Sequence, residues 1–124
     1  MKRSAKTFSH EAGCIIIISS LFAFQADPNR EVYATTKAGL ALTTPSIAMS
    51  GEQWGIRVNA VVPGLISAWY ETKAGDQLGA VIEEVMTGGR PEDISSTIEY
   101  LMNANFTTGQ RIVVDGGAQK VIHR

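Results

Sequence analysis

Three short apolar runs, each followed by residues that favour turns, punctuate the chain. The first covers residues 14–18 and consists of one cysteine and four isoleucines. A continuous β-branched run of this length is typical of a strand that is buried on both faces between layers of helices. Residues 56–62 and 111–114 form the second and third runs, which end at proline or glycine. The pattern predicts three short strands.

The segment between the first two strands has helical periodicity. Within residues 32–50, Tyr33, Leu40 and Ile47 recur at every seventh position. Pro45 conflicts with this prediction, because a proline inside a helix removes a hydrogen bond and usually produces a kink. Small residues on the same segment would let another helix approach closely; they are Ala34, Ala38, Gly39 and Ala41.

Two shorter helices are predicted between the second and third strands, at about 72–86 and 91–102. The later helix begins at a proline and carries two acidic residues in its first turn, which suits the positive end of a helix dipole. Strands that alternate with helices indicate βαβ units and a parallel sheet. The predicted fold class is therefore α/β, with about three parallel strands and flanking helices in a partial Rossmann-type, doubly wound arrangement.

Composition narrows the class further. The 124 residues are 44% hydrophobic and 19% charged, and 11 basic residues stand against 12 acidic ones. This balance excludes a disordered chain, a coiled coil and a disulfide scaffold, and it gives no general attraction to nucleic acid or to an anionic membrane. Cys14 is the single cysteine, and no cluster of cysteine and histidine is present, so no metal site is predicted.

We predict a cytoplasmic protein without a membrane span, because no stretch reaches the length of about 18 apolar residues that a span needs. The basic residues Lys2, Arg3 and Lys6 precede the first apolar run, as they would in a secretory signal. However, His10 and Glu11 interrupt that pattern, and no good small-residue cleavage site follows. The start is better interpreted as a charged helix end that leads into a buried strand.

Tyr33 and Lys37 are four positions apart on the predicted helix, so their side chains share one face. A phenol is a poor acid–base group at neutral pH, but a nearby ammonium favours its ionised form. Such a pair could pass a proton to or from a carbonyl or hydroxyl oxygen. Ser20 follows the first strand and could hydrogen-bond the same oxygen, since ligands of open α/β sheets bind at the carboxyl ends of strands. Alone, the tyrosine–lysine pair is equally an exposed helical pair.

A wider set of motifs resembles one known family. The set comprises Ile-Ser-Ser at 18–20, Tyr-Ala-Thr-Thr-Lys-Ala-Gly at 33–39, Gly-Ile-Arg-Val-Asn-Ala-Val-Val-Pro-Gly at 55–64, Gly-Arg-Pro-Glu-Asp-Ile at 89–94 and Thr-Gly-Gln-Arg-Ile-Val-Val-Asp-Gly-Gly at 108–117. In this order and at these spacings, the chain closely resembles the short-chain dehydrogenase/reductase family. The resemblance extends from about residue 13 to 117.

The resemblance implies a role for individual residues. Tyr33 matches the catalytic tyrosine of the family. Lys37 matches the lysine that assists this tyrosine and holds the nicotinamide ribose. Ser20 matches the catalytic serine, and its neighbour Ser19 is the less favoured alternative for that role. The loop that meets the nicotinamide carboxamide matches Pro63, Gly64, Leu65 and Ile66. The implied cofactor is NAD or NADP, and the implied reaction moves a hydride between that cofactor and a small carbonyl or alcohol substrate while Tyr33 moves the proton.

The sequence also departs from the family pattern. No glycine-rich Thr-Gly-x-x-x-Gly-x-Gly turn precedes the first strand, and a Rossmann-type site uses such a turn to hold the pyrophosphate. The chain resembles the C-terminal half of the family fold. We therefore expect residues 1–124 to form a single, truncated domain that lacks the N-terminal dinucleotide-binding half.

Two functions remain open from the sequence. The first is an oxidoreductase of this family, present as a fragment with little activity alone. The alternative is a non-catalytic remnant that acts as a dimerisation or interaction module. In both cases we expect a homo-oligomer formed through helix 33–50, and the unpaired edge of the first strand would add to self-association.

Overall fold

The computed structural model describes residues 13–66 and 88–120. Its main elements, in chain order, are strand β1 (Cys14–Ile18), helix α1 (Glu31–Gly51), strand β2 (Arg57–Pro63), helix α2 (Pro91–Asn103) and strand β3 (Arg111–Val114). Short 3-10 helices lie at Leu21–Ala23, Glu52–Trp54 and Ala118–Lys120. The helix predicted at 72–86 lies outside the described residues.

The three strands form one parallel sheet in the order β1-β2-β3. Ile16 of β1 pairs with Asn59 of β2, and Val61 of β2 pairs with Ile112 of β3. The α/β class, the parallel direction and the strand order predicted from the sequence are confirmed. Because β2 is the middle strand, its backbone is bonded on both sides, and both helices pack against it.

The middle strand forms the centre of the core. Val58, Ala60, Val61 and Val62 are fully buried. Asn59 is buried as well, and its side chain donates to the carbonyl of Thr107 and accepts from the backbone N–H of Gln110. The amide therefore joins β2 to the turn that leads into β3, and its burial without polar partners would be unfavourable.

Arg57, at the start of β2, is a buried cation that bonds to backbone carbonyls. Arg57 is only 3% exposed, and its guanidinium donates to the carbonyls of Leu101 and Met102 at 2.7 and 2.9 Å. It also donates to the carbonyl of Thr107. The last carbonyls of a helix lack intrahelical donors and carry partial negative charge. Arg57 thus anchors the end of α2 to β2.

Helix α1 is continuous through Pro45, so the predicted conflict does not divide it. Its buried face consists of the small residues Ala41, Thr44 and Ala48. The small residues of this segment, Ala41 included, predict the close approach of another helix. That interpretation of Ala41 is wrong, because Ala41 is fully buried in a helix that packs against its own sheet.

Helix α2 starts with a cap that the sequence partly predicts. The Asp93 carboxylate accepts from the backbone N–H of Arg90 at 2.7 Å, and the N–H of Asp93 donates to the carbonyl of Arg90. Pro91 occupies the first turn, where a missing N–H removes no helical bond. Within residues 13–66 and 88–120, no helix is long and apolar enough to cross a membrane.

Candidate functional site

Two serines follow directly after β1, at the carboxyl end of the sheet. Ser20 is 8% exposed and caps the short helix Leu21–Ala23, because its hydroxyl oxygen accepts from the N–H of Phe22 at 3.3 Å. That bond uses the oxygen as an acceptor. The hydroxyl hydrogen has no acceptor in the described part of the chain, so it can donate to an oxygen of a bound molecule.

Ser19 has a different task. Its N–H continues the ladder to Val61, and its hydroxyl donates to the backbone carbonyl of Lys37 at 2.8 Å. With both groups bonded inside the fold and only 3% of the residue exposed, Ser19 ties β1 to helix α1. This environment favours Ser20 over Ser19 as the serine that meets a ligand.

Lys37 lies on α1 beside the end of β1. Its ammonium donates to the carbonyl of Ile18 at 3.2 Å and lies 5.8 Å from the centroid of the Tyr33 ring. An ammonium has three N–H donors, so this arrangement leaves two for hydroxyl groups of a ligand. The strand end and the helix thereby hold a positive charge at the rim of the sheet.

Tyr33 sits one helical turn before Lys37 and is 44% exposed. Its ring meets the ring of Phe22 edge to face, with centroids 6.4 Å apart and planes at 72°. The Phe22 ring is covered on its face by the guanidinium of Arg30, 4.6 Å from the centroid, and Arg30 forms an ion pair with Asp27. Tyr33 therefore has both an aromatic ring and an ammonium near its own ring.

The predicted cofactor loop begins at the carboxyl end of β2. Pro63 pairs with Val114 in the sheet, and Gly64 donates to the Val114 carbonyl at 2.9 Å. A β-carbon on Gly64 would lie 2.7 Å from Cβ of Asp115, so backbone packing already requires a glycine there. Ile66 forms a parallel bridge with Gly89, which ties this loop to the start of α2.

The structure places Ser20, Tyr33 and Lys37 around the carboxyl end of β1. Phe22 links the first two, since its backbone N–H bonds Ser20 and its ring contacts Tyr33. The sequence pattern assigns no role to Phe22 or Arg30, because no motif spacing indicates their contacts. In the described ranges, no group of three or more potential ligand residues could hold a metal ion.

The hydrogen-bond donors of Lys37 and Ser20 suit the nicotinamide end of a dinucleotide cofactor. The Lys37 ammonium and the Ser20 hydroxyl lie at the carboxyl end of β1, the end of the sheet where α/β proteins bind ligands. An ammonium and a hydroxyl are suited to ribose hydroxyls and to a carbonyl oxygen, respectively.

Comparison with known proteins agrees with this fold. The family model described as Enoyl-(Acyl carrier protein) reductase matches residues 1–119. The 3-oxoacyl-[acyl-carrier-protein] reductase FabG of Rickettsia felis is 35% identical over 117 residues, which are 90% of this chain and 48% of that protein. The 7alpha-hydroxysteroid dehydrogenase of Bacteroides fragilis is 36% identical over 114 residues, covering 85% of this chain and 43% of the relative.

Solved structures give the same result. A 4-hydroxyisoleucine dehydrogenase complexed with NADH is 35% identical and superimposes with a TM-score of 0.72, over 88% of this chain and 47% of that one. The chain spans about half the length of the relatives that it matches. Since the family model covers nearly all of the 124 residues and the sheet has the family's parallel arrangement, the chain belongs to the short-chain dehydrogenase/reductase family of oxidoreductases.

Proposed function

We propose that the chain carries the proton-transfer side of an NAD(P)-dependent oxidoreductase that acts on a small carbonyl or alcohol substrate. The observation that supports this most directly is the position of the Lys37 ammonium, between the Ile18 carbonyl and the Tyr33 ring. A phenol hydroxyl can exchange its proton with a substrate oxygen, and a nearby ammonium attracts the negative charge that develops during the transfer.

Each residue has a distinct part in this proposal. Ser20 donates its hydroxyl hydrogen to the substrate oxygen, and the N–H of Phe22 fixes the Ser20 oxygen during that contact. Tyr33 gives a proton to this oxygen during reduction or removes one during oxidation. Lys37 offers its remaining N–H groups to the ribose hydroxyls of the cofactor.

The cofactor is NAD or NADP in this proposal, and the nicotinamide supplies or accepts the hydride when it is bound. One relative of known structure is complexed with NADH, which supports a nicotinamide cofactor. Lys37, Tyr33, Pro63, Gly64 and Ile66 would hold the nicotinamide end. We further propose that residues 1–124 act as a single domain, which the single sheet of three strands supports.

A sensitive assay for slow turnover tests the function. The purified chain is incubated with NADH that is deuterated at both C4 positions and with a panel of small ketones, and deuterium in the alcohol products is measured by mass spectrometry. We expect slow label transfer that Tyr33→Phe abolishes. Tyr100→Phe serves as the matched control, because Tyr100 is an exposed tyrosine on α2. No label transfer, or transfer that survives Tyr33→Phe, would contradict the proposal.

A second function, self-association as an interaction module, is favoured by the exposed apolar residues of α1. Val32, Leu42 and Met49 are 80, 59 and 74% exposed. A helix that leaves several large apolar side chains in water gains free energy by covering them. We therefore propose a homo-oligomer formed through helix 33–50.

Light scattering and analytical ultracentrifugation test this second proposal. The unmodified chain is expected to be a dimer or larger, and a double variant, Leu42→Glu with Met49→Glu, is expected to shift toward the monomer. Ser96→Glu is the control, since it adds a charge at an exposed position of α2, on a different helix from the proposed interface. A monomer at all concentrations, or equal dissociation by the control, would exclude this interface.

A further inference from the structure

Phe22 contacts both Ser20 and Tyr33. Its backbone N–H donates to the Ser20 hydroxyl oxygen, and its side chain meets the Tyr33 ring edge to face. Ser20 and Phe22 belong to one short 3-10 segment, whereas Tyr33 lies on a separate helix. A movement of the Phe22 ring therefore changes the relation between two elements that each carry one of the proposed proton-transfer groups.

The Phe22 ring is itself held in place. The Arg30 guanidinium covers its face at 4.6 Å from the centroid, and Asp27 holds that guanidinium in an ion pair. Arg30 immediately precedes α1, and its carbonyl accepts from the N–H of Ala34, so its backbone is fixed by the first turn. The ring is thus bounded by a cation on its face and by the Tyr33 ring at the other contact, both of which require an aromatic side chain.

We propose that Phe22 is a positioning residue that sets the orientation of the Tyr33 ring relative to the Ser20 hydroxyl. The expectation that Phe22 affects the turnover rate rests on the function proposed above. The expectation that Phe22 orients the Tyr33 ring is independent of that function. Tyr33 is nearly half exposed, and a ring that projects into water needs side contacts to keep one orientation. Reaction rates fall steeply when a reacting group is displaced by about an ångström, so lost orientation lowers the rate more than substrate binding.

Fluorine NMR of the full chain with 3-fluorotyrosine in place of tyrosine tests the orientation. Tyr33→Phe identifies the Tyr33 resonance by its disappearance. We expect Phe22→Leu, which keeps an apolar side chain but removes the ring, to move and change the width of that resonance. Phe22→Tyr keeps the ring and is expected to restore the original position of the Tyr33 resonance, while residue 22 adds a fourth fluorotyrosine resonance to the three of the unmodified chain. Phe24→Leu is the matched control, because Phe24 lies in the same segment and forms no ring contact in the described part of the chain.

The deuterium-transfer assay gives the functional measurement. We expect Phe22→Leu to lower the transfer rate about tenfold with less than a twofold change in the ketone concentration for half-maximal rate, and Phe22→Tyr to restore the rate. An unmoved Tyr33 resonance in Phe22→Leu would overturn the proposal, and so would an equal shift in Phe24→Leu. If the unmodified chain transfers no label, the proposed function fails, whereas the fluorine spectrum still decides whether Phe22 orients Tyr33.

Discussion

Ser19 and Lys37 join the carboxyl end of strand β1 to helix α1 from both directions. The Ser19 hydroxyl donates to the Lys37 carbonyl at 2.8 Å, while the Lys37 ammonium donates to the carbonyl of Ile18, the residue before Ser19. The backbone of Lys37 is therefore fixed by the strand end, and its side chain returns to the same strand end. This pair of bonds sets the height of Tyr33, one turn earlier on α1, relative to the rim of the sheet.

Replacing Ser19 by alanine should weaken this junction. We expect Ser19→Ala to lower the free energy of unfolding by about 1 kcal/mol, because one buried hydrogen bond is lost while the Lys37 carbonyl remains in a helix. Urea denaturation followed by circular dichroism measures this. Ser50→Ala is the control: its hydroxyl bonds to the Ser46 carbonyl on the exposed part of α1, so a change below about 0.5 kcal/mol is expected. If the two substitutions lowered the free energy of unfolding equally, the bond between Ser19 and Lys37 would not contribute the stability that we expect of it.

Substitution of Arg57 should lower the free energy of unfolding more than substitution of Ser19. Arg57→Met keeps much of the side-chain volume but removes the donors to three carbonyls at the end of α2 and in the following turn. We expect a loss of at least about 2 kcal/mol, because charged donors form strong hydrogen bonds and the carbonyls of Leu101 and Met102 at the end of α2 would lose theirs. The melting temperature and the urea midpoint are the measurements.

Arg111→Met is the matched control for Arg57, since Arg111 is an exposed residue on β3. We expect a change within about 0.5 kcal/mol there. If Arg57→Met were as stable as the unmodified chain, the three carbonyls would have to find other donors, and the anchoring role of Arg57 would be wrong.

The sequence predicts the strands well because their signal is local. β1 and β3 have the predicted bounds, since a β-branched run and the turn residues after it are both read along the chain. β2 begins one residue later than predicted and includes Pro63, whose missing N–H is tolerated at the last position of the strand. Helix α1 likewise extends one residue beyond the predicted 32–50 at each end.

Contacts between distant residues could not be predicted in the same way. The bond from Arg57 to Leu101 joins residues 44 positions apart, and the ring contact between Phe22 and Tyr33 depends on how a 3-10 turn packs on a helix. No periodicity encodes either one. The positions of Tyr33 and Lys37 on one helix were predictable, because helical spacing fixes which side chains share a face. Their relation to Ser20 required the packing of α1 on β1.

Substitution of Gly64 tests whether this glycine is needed for the packing of β2 and β3 when no cofactor is present. Its substitution by alanine would place a β-carbon 2.7 Å from Cβ and 2.8 Å from Cα of Asp115, so the ends of β2 and β3 would have to move apart. We expect Gly64→Ala to cost about 1–3 kcal/mol of unfolding free energy in the absence of any nucleotide. Gly39→Ala is a control of opposite sign.

Gly39 lies inside α1, and apart from its own helix no atom of residues 13–66 and 88–120 would lie within 4 Å of the added carbon. Alanine there should stabilise the chain by about 0.4–1 kcal/mol, because alanine loses less backbone entropy than glycine in a helix. Thermal denaturation of both variants without nucleotide is the measurement. If Gly64→Ala were neutral, the glycine would be needed for the cofactor alone and the close approach to Asp115 would be unimportant.

The 124-residue chain by itself should bind NADH and NADPH weakly and turn over slowly. The residues proposed for the nicotinamide end are present, but contacts to remote parts of a ligand normally provide the binding energy that positions its reacting end. Orientation of this kind is worth on the order of 7–11 kcal/mol of a reaction barrier. A chain that offers Lys37 and the loop 63–66, without a glycine-rich turn in its sequence before β1, lacks much of that contribution. Isothermal titration with both nucleotides is the measurement, and Lys37→Met should remove the remaining weak binding. Tight binding, together with fast ketone reduction that Tyr33→Phe abolishes, would show that these 124 residues suffice for a working enzyme.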